Sequence, residues 1–384
     1  MAERSGRSRI LACVLVGLGT FLLAVAIIIP AYTVDKLKKT PLNLEVTTVA
    51  TGTGDVLNSK ALLAGKAEVN TNVPIVAQRY VITEKPSDAQ VVSIQAGQTL
   101  IRTDKQGDTG LLTATVDRVT ADRVSSMPVE PPVGTIQTSA TSPAEEVSHT
   151  GLQYKWPFDA EKKSYPYFDL NVRKSQDINF VEETEINGMK VYHYNQKIEP
   201  TDLSKVVPAE PTNKLTLPAK TWGVPGDDQP ITMTRWYANE RDVWVDPVTG
   251  VIINGQEKLY QYYARDKAKP EVTVLKVTLP FDENTIEYQI GQAKDGQDKL
   301  SLFGRTLPIV AGILGVISLI AGIVLGIRGG RGKKGATTEG PDNPPTGTGE
   351  AEDHDWTSDK TEEFPTVNLD QGNQGGFTEP PRQQ

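Results

Sequence analysis

The sequence predicts a mainly β fold set between two transmembrane α-helices, and three observations predict it. Two stretches, residues 10–29 and 307–327, are almost purely apolar. The residues between them alternate apolar and polar side chains in short runs bounded by Gly, Pro, Asn and Asp. The net charge of −8 sits almost wholly at one end: residues 335–384 hold eleven carboxylates against Lys360 and Arg382, a local −9 that leaves the rest of the chain at about +1.

Residues 1–9 carry Arg4, Arg7 and Arg9 ahead of the first apolar run. That run contains no charge and is long enough to cross a ~30 Å hydrocarbon core as a helix, so a transmembrane helix is predicted over 10–32. A cleaved signal peptide would have a shorter apolar core and a small-x-small cleavage site, so the segment is expected to stay as an anchor.

Residues 33–304 read as an extracytoplasmic β-rich domain with candidate subdomains at 40–122 and 151–300. Leu42, Leu44 and Val46 alternate with Asn43, Glu45 and Thr47, and β-branched runs recur through 73–122. Asn187-Gly188 is a hairpin signal, and Asp246-Pro247-Val248-Thr249-Gly250 is a second turn. Residues 123–150, rich in Pro, Ser and Thr, mark a boundary between subdomains. Residues 199–230 have a similar composition and read as a solvated surface excursion. The best helical candidate is 282–304, leading into a second span predicted over 305–327.

That second span carries Ser318, Gly322 and Gly326 at intervals of four, a stripe that lets another helix approach closely, and Thr20 with Ala24 offers the same spacing in the first. The alternative is that glycine is simply common in membrane helices. Basic residues at the ends, Arg4, Arg7, Arg9, Arg328, Arg331, Lys333 and Lys334, outnumber Lys36, Lys38, Lys39 and Arg305 on the intervening side. Both termini are therefore expected in the cytoplasm of an inner-membrane protein, with residues 328–384 as an acidic, disordered cytoplasmic tail.

Composition excludes several chemistries. The single cysteine, Cys13, lies in an apolar run, and His149, His193 and His354 are too scattered for a histidine metal site. No nucleophile elbow, phosphate loop or zinc-protease motif is present. His193 reads as a packed strand residue, and Glu182-Glu183 point to opposite faces of a strand. No enzyme activity, cofactor, metal or nucleic-acid partner is expected. Candidate ligand-binding residues are Arg118 and Arg241, whose guanidinium groups match phosphate or carboxylate oxygens. The alternative for both is an ion pair with a neighbouring acid. Tyr154, Trp156, Tyr167 and Trp244 are the aromatic candidates, and core packing would use the same residue types.

The run Gly151-Leu152-Gln153-Tyr154-Lys155-Trp156-Pro157-Phe158, followed by Tyr165-x-Tyr167-Phe168-Asp169, Ile186-Asn187-Gly188 and Arg241-x-Val243-Trp244-Val245-Asp246-Pro247-x-Thr249-Gly250, resembles an actinobacterial membrane family. This is the porin PorA family, which includes the mycobacterial and corynebacterial LmcA (PgfA) envelope proteins. The resemblance covers about residues 5–330. It implies an elongated, β-barrel-like or β-sandwich periplasmic domain that encloses apolar cavities. It also implies binding of a membrane lipid or glycolipid in lipoglycan maturation or mycolate-lipid trafficking, with other envelope-assembly membrane proteins as partners.

The expected function is accordingly a lipid-binding, non-enzymatic envelope-biogenesis factor. A membrane sensor or scaffold is the alternative, recruiting a cytoplasmic partner through tail motifs around Trp356 and Phe364. A porin, or a channel formed by oligomerised spans, is expected to rank below both, because two helical spans do not enclose a pore by themselves and the sequence shows no outer-membrane strand pattern.

Overall fold

The computed structural model describes residues 2–267 and 269–330. The predicted tail motifs, and the basic residues from Arg331 onward, lie outside the described residues. Thirteen strands follow the alternating runs. They are β1 (Glu45–Leu57), β2 (Val69–Glu84), β3 (Val91–Arg102), β4 (Leu111–Asp122), β5 (Thr135–Gln137), β6 (Glu145–Glu146) and β7 (Tyr165–Asp169). After them come β8 (Lys174–Ile186), β9 (Met189–Asp202), β10 (Lys214–Pro218), β11 (Pro230–Val245), β12 (Ile252–Ala264) and β13 (Val272–Pro280). The helices are α1 (Ala2–Leu37), α2 (Ser59–Leu63), α3 (Leu203–Val206), α4 (Ala219–Trp222), α5 (Glu283–Ser301) and α6 (Leu307–Gly330).

All the strands join one antiparallel sheet in the order β6-β5-β4-β3-β2-β1-β13-β12-β11-β9-β8-β7, with β10 added to β11. The pairing of β1 with β13 carries the sheet through both 40–122 and 151–300. Residues 123–150 contribute β5 and β6 to it. Residues 199–230 depart from the expected solvated excursion. They form α3, β10 and α4 and bury Leu203 and Trp222, because Trp222 packs with Met233, Tyr263 and Val272.

One face of the sheet is turned inward. Val73, Ile75 and Val81 of β2 alternate with outward residues, and Ile94, Ala96 and Leu100 of β3 and Leu275, Val277 and Leu279 of β13 do the same. The segment 149–153 then spans the two ends of the strand order. His149 meets Asp117 of β4, while Leu152 bridges Tyr167 of β7. The sheet is thereby rolled on itself, with the inward residues as its core.

Helix α5 packs on the opposite face. Asp282 caps it by accepting from the Thr285 amide at 2.8 Å, and Ile286, Ile290 and Ala293 recur at helical spacing against Met189, Val191 and Ile253. Burying the two isoleucines contributes roughly 1.5–3 kcal/mol each, which holds an otherwise polar helix on the sheet. A π-helical turn, Leu302–Thr306, joins α5 to α6 without a loop.

Helices α1 and α6 are long and apolar enough to cross a membrane. They pack antiparallel, with Gly19 against Gly315 and Leu319, and Gly322 against Ala12 and Val16. Ser318 Oγ donates to the Leu15 carbonyl at 2.8 Å. The expected Thr20/Ala24 stripe faces outward. Thr20 bonds the carbonyls of its own helix, and the first helix contributes Ala12 and Gly19 instead. Phe21, Ile27, Ile313, Ile317 and Ile320 project from the pair, a surface suited to hydrocarbon.

Candidate functional site

A band of polar side chains crosses the inner face of the sheet between apolar clusters. Below it lie Val73, Ile75, Leu100, Leu275 and Val277; above it lie Val81, Ile94 and Val119 on one side and Trp156, Tyr194 and Val245 on the other. Most members of the band arrive on inward strand positions, so the alternation that buries valines also buries these polar groups, while His149, Gln153 and Tyr154 come from the segment between β6 and β7.

At the centre is Arg241 of β11. Its Nε donates to Glu257 Oε1 at 2.9 Å, Nη1 to Gln196 Oε1 at 2.6 Å and Nη2 to Asp169 Oδ2 at 3.1 Å. The Tyr167 ring lies 5.1 Å from the guanidinium carbon. Burial opposes the Arg241 charge, but Glu257 and Asp169 outweigh it and hold the proton more firmly than usual. For Glu257 burial pushes upward, yet Arg241 and Arg79 together leave the carboxyl below its ordinary range. Tyr237 Oη donates to Asp169 Oδ2 at 3.0 Å, and burial followed by the Asp169 charge pushes its phenol well up.

A second centre forms around Asp117 of β4, which is wholly buried. Tyr154 Oη donates to its Oδ2 at 2.5 Å, Gln153 Nε2 donates to the same oxygen at 3.1 Å, and His149 Nε2 stands 2.9 Å from Oδ1. Burial, then the Asp117 charge, raises the Tyr154 phenol well above its usual value. Between the two centres, Arg79 of β2 reaches Gln98 Oε1 at 3.3 Å and comes within 3.9 Å of Glu257.

The structure brings Arg241, Tyr154 and Tyr167 into this band and seats Trp156 beside it, fully buried, its ring 5.3 Å from Tyr167. It separates the other two candidates from it. Arg118 points to the opposite face from Asp117 and donates to Glu84 at 3.0 Å. Trp244 stacks on His193 at 4.6 Å, and His193 bonds Asp242 at 2.8 Å, on the face that carries α5. Sequence reading missed Arg79, Gln98, Asp117, His149, Asp169, Gln196 and Glu257. For the strand residues among them the signal was present, since each interrupts the apolar parity of its strand, as Gln98 does between Ala96 and Leu100; His149 lies between β6 and β7 and gave no such signal.

A different polar junction ties the β domain to the helices. Lys155 Nζ donates to the carbonyls of Trp156 and Thr249, both at 2.8 Å, and lies over the Phe158 ring. Burial lowers its pKa to about 7, opposed by Asp246. Asp246 accepts from Gln297 of α5 at 2.8 Å, and Lys38 at the end of α1 pairs with Asp159. An open crevice of about 390 Å³ lies here, lined by Val34, Lys38, Asp159, Val248, Gln297, Leu300 and Ser301. An apolar void of about 20 Å³ lies beneath β3 and β4. Neither is an enclosed apolar cavity of ligand size, for which ~300–1,000 Å³ is typical. No group of three or more His, Cys, Asp or Glu that could hold a metal is found among the described residues.

Comparison with known proteins addresses the expected function directly. The family model described as Porin PorA matches residues 11–324. A protein named Porin PorA from Corynebacterium resistens is 31% identical, over 85% of this chain and 99% of the relative. A second Porin PorA, from Corynebacterium amycolatum, is 29% identical, over 82% of this chain and 97% of the relative. These relatives are named as porins, and that finding overturns the expected lipid-binding envelope-biogenesis factor and its ranking above a porin. The sensor or scaffold alternative gains nothing from them. A channel formed by oligomerised spans stands third among the expectations, since the spans of one copy cannot enclose a pore. The matched residues take in most of both spans, and the protein is one of a membrane or the cell envelope. The chain belongs to the Porin PorA family.

Proposed function

We propose that the chain is a non-enzymatic, channel-forming membrane protein whose pore is built by several copies. The observation that carries this reading is the family match, which runs across both spans and the β domain between them, to relatives that are named porins. Two helices cannot surround an aqueous path, so conduction requires association of the α1/α6 hairpins. The closely packed hairpin supports this, because it leaves one helix pair per copy as a preformed unit. In this reading the membrane is the inner one. The distribution of basic residues supports both termini on the cytoplasmic side and the β domain outside.

Solute flux tests the proposal. Liposomes loaded with a small fluorescent anion or cation and reconstituted with the purified full chain are expected to leak in proportion to protein added. Tight liposomes at every protein-to-lipid ratio, with insertion verified, contradict it.

A further inference from the structure

We infer that Arg79 and Gln98 form a binding site for a small oxyanion on the inner face of the sheet. The two residues stand directly opposite each other on β2 and β3. The Arg79 guanidinium makes one long hydrogen bond, 3.3 Å to Gln98 Oε1, and its Nε is buried without a partner. Its nearest carboxylate, Glu257 at 3.9 Å, is already engaged by Arg241 at 2.9 Å. Because Gln98 turns its oxygen to Arg79, its amide nitrogen is the free end, and that nitrogen too is buried and unpartnered. Two neighbouring side chains thus present buried N–H donors with no acceptor.

Other arginines of the domain are met. Arg102 takes both oxygens of Asp104 at 2.8 and 2.7 Å, Arg265 does the same with Glu271, and Arg118, Arg173 and Arg241 each hold a carboxylate. Arg235 also has a buried unpartnered Nε, but its Nη2 bonds Gln261 at 2.5 Å and a tyrosine, not an amide, stands opposite it. Arg79 has no carboxylate of its own; its guanidinium carbon lies 5.9 Å from the Tyr154 ring centre. Its side chain stays 28% accessible on an inward position, and Glu257 stays 27% accessible despite the protein packed around it. The accessible part of these two side chains is where a small anion would approach the donors, whose own atoms are covered in the unliganded fold.

The chemistry of those donors selects the ligand. A guanidinium Nε–H beside an amide N–H₂ supplies fork-like donation plus positive charge, which a carboxylate or phosphate oxygen satisfies and a cation does not. Across Glu257, Asn239 Oδ1 is a buried acceptor without a partner, so an oxyanion that also carries an O–H, such as hydrogen phosphate, would satisfy both sides.

The test uses the full chain in detergent, titrated at pH 7 with sodium phosphate or sodium acetate against sodium chloride at matched ionic strength, by calorimetry and thermal melting. Saturable binding of phosphate or acetate is expected, and Arg79→Gln should weaken it at least ten-fold while Arg265→Gln leaves it unchanged. Phosphate alone would assign Asn239 Oδ1 to the ligand hydroxyl; acetate binding equally well would assign the donors alone. Arg79→Lys keeps the charge and loses the fork, and it is expected to weaken binding several-fold, giving the readout if Arg79→Gln does not fold. No saturation beyond chloride, or full affinity in both Arg79 variants, overturns the site.

Discussion

At Arg241, burying a charge is tolerated because every side of the guanidinium has a partner. Sequence reading singled out Arg241 and weighed an ion pair with a neighbouring acid. The partners come instead from β12, β9 and the end of β7, the farthest 72 residues away in sequence, and no local pattern encodes such a meeting. Truncating one partner of a buried network leaves the others unmet, so Arg241→Ala is expected to destabilise the domain by about 3–5 kcal/mol in denaturant titrations. Lys155 makes a second residue-scale prediction. Folded, it loses its proton near pH 7, whereas in the unfolded chain it keeps it to about pH 10.4. Between those values the unfolded state binds more protons, so this group makes stability rise with pH across that window and contributes no slope below it. Thermal melts from pH 6 to 9 should show that rise in the native chain and lack it in Lys155→Met; parallel profiles would show that Lys155 keeps its proton when folded.

Elements were legible where one residue type meets one backbone requirement. Asn187-Gly188 closes β8 and β9 as a two-residue turn with φ of 48° and 75°, as its composition predicts. Gly250 has a similar φ of 72°, but a Cβ there would stand 2.2 Å from the Trp156 carbonyl, a constraint set by a distant segment. Gly188→Ala is therefore expected to cost about 1–2 kcal/mol from the left-handed backbone alone. Gly250→Ala should cost more, because the clash adds to that strain and disrupts the Lys155 junction; melting temperatures of the two variants check the order. In the spans, length and apolarity marked both helices, but spacing of small residues misidentified the contact face of α1. A four-residue stripe can be drawn through Thr20 and Ala24, yet close approach occurs where Gly19 and Ala12 present the least side chain to Gly315 and Gly322.

For the whole molecule, the β character and the two-span layout could be read from periodicity and hydropathy, while the single rolled sheet could not. Its continuity depends on β1 pairing with β13, whose partner residues Gly54 and Val277 lie far apart in the chain. The polar band follows from that closure, since Arg79 and Glu257 approach only when β2 and β12 curve toward each other. Function was misjudged at this same scale: two helices per chain put a channel last among the expectations, although the relatives are named porins. Single-channel recording tests that account most directly. Purified full chain in planar bilayers is expected to give stepwise currents, and Gly322→Leu, which forces a side chain into Ala12 and Val16, is expected to abolish them while the β domain still melts cooperatively. Bilayers that stay silent at high protein-to-lipid ratios, or currents unchanged by Gly322→Leu, would contradict a pore built from these hairpins.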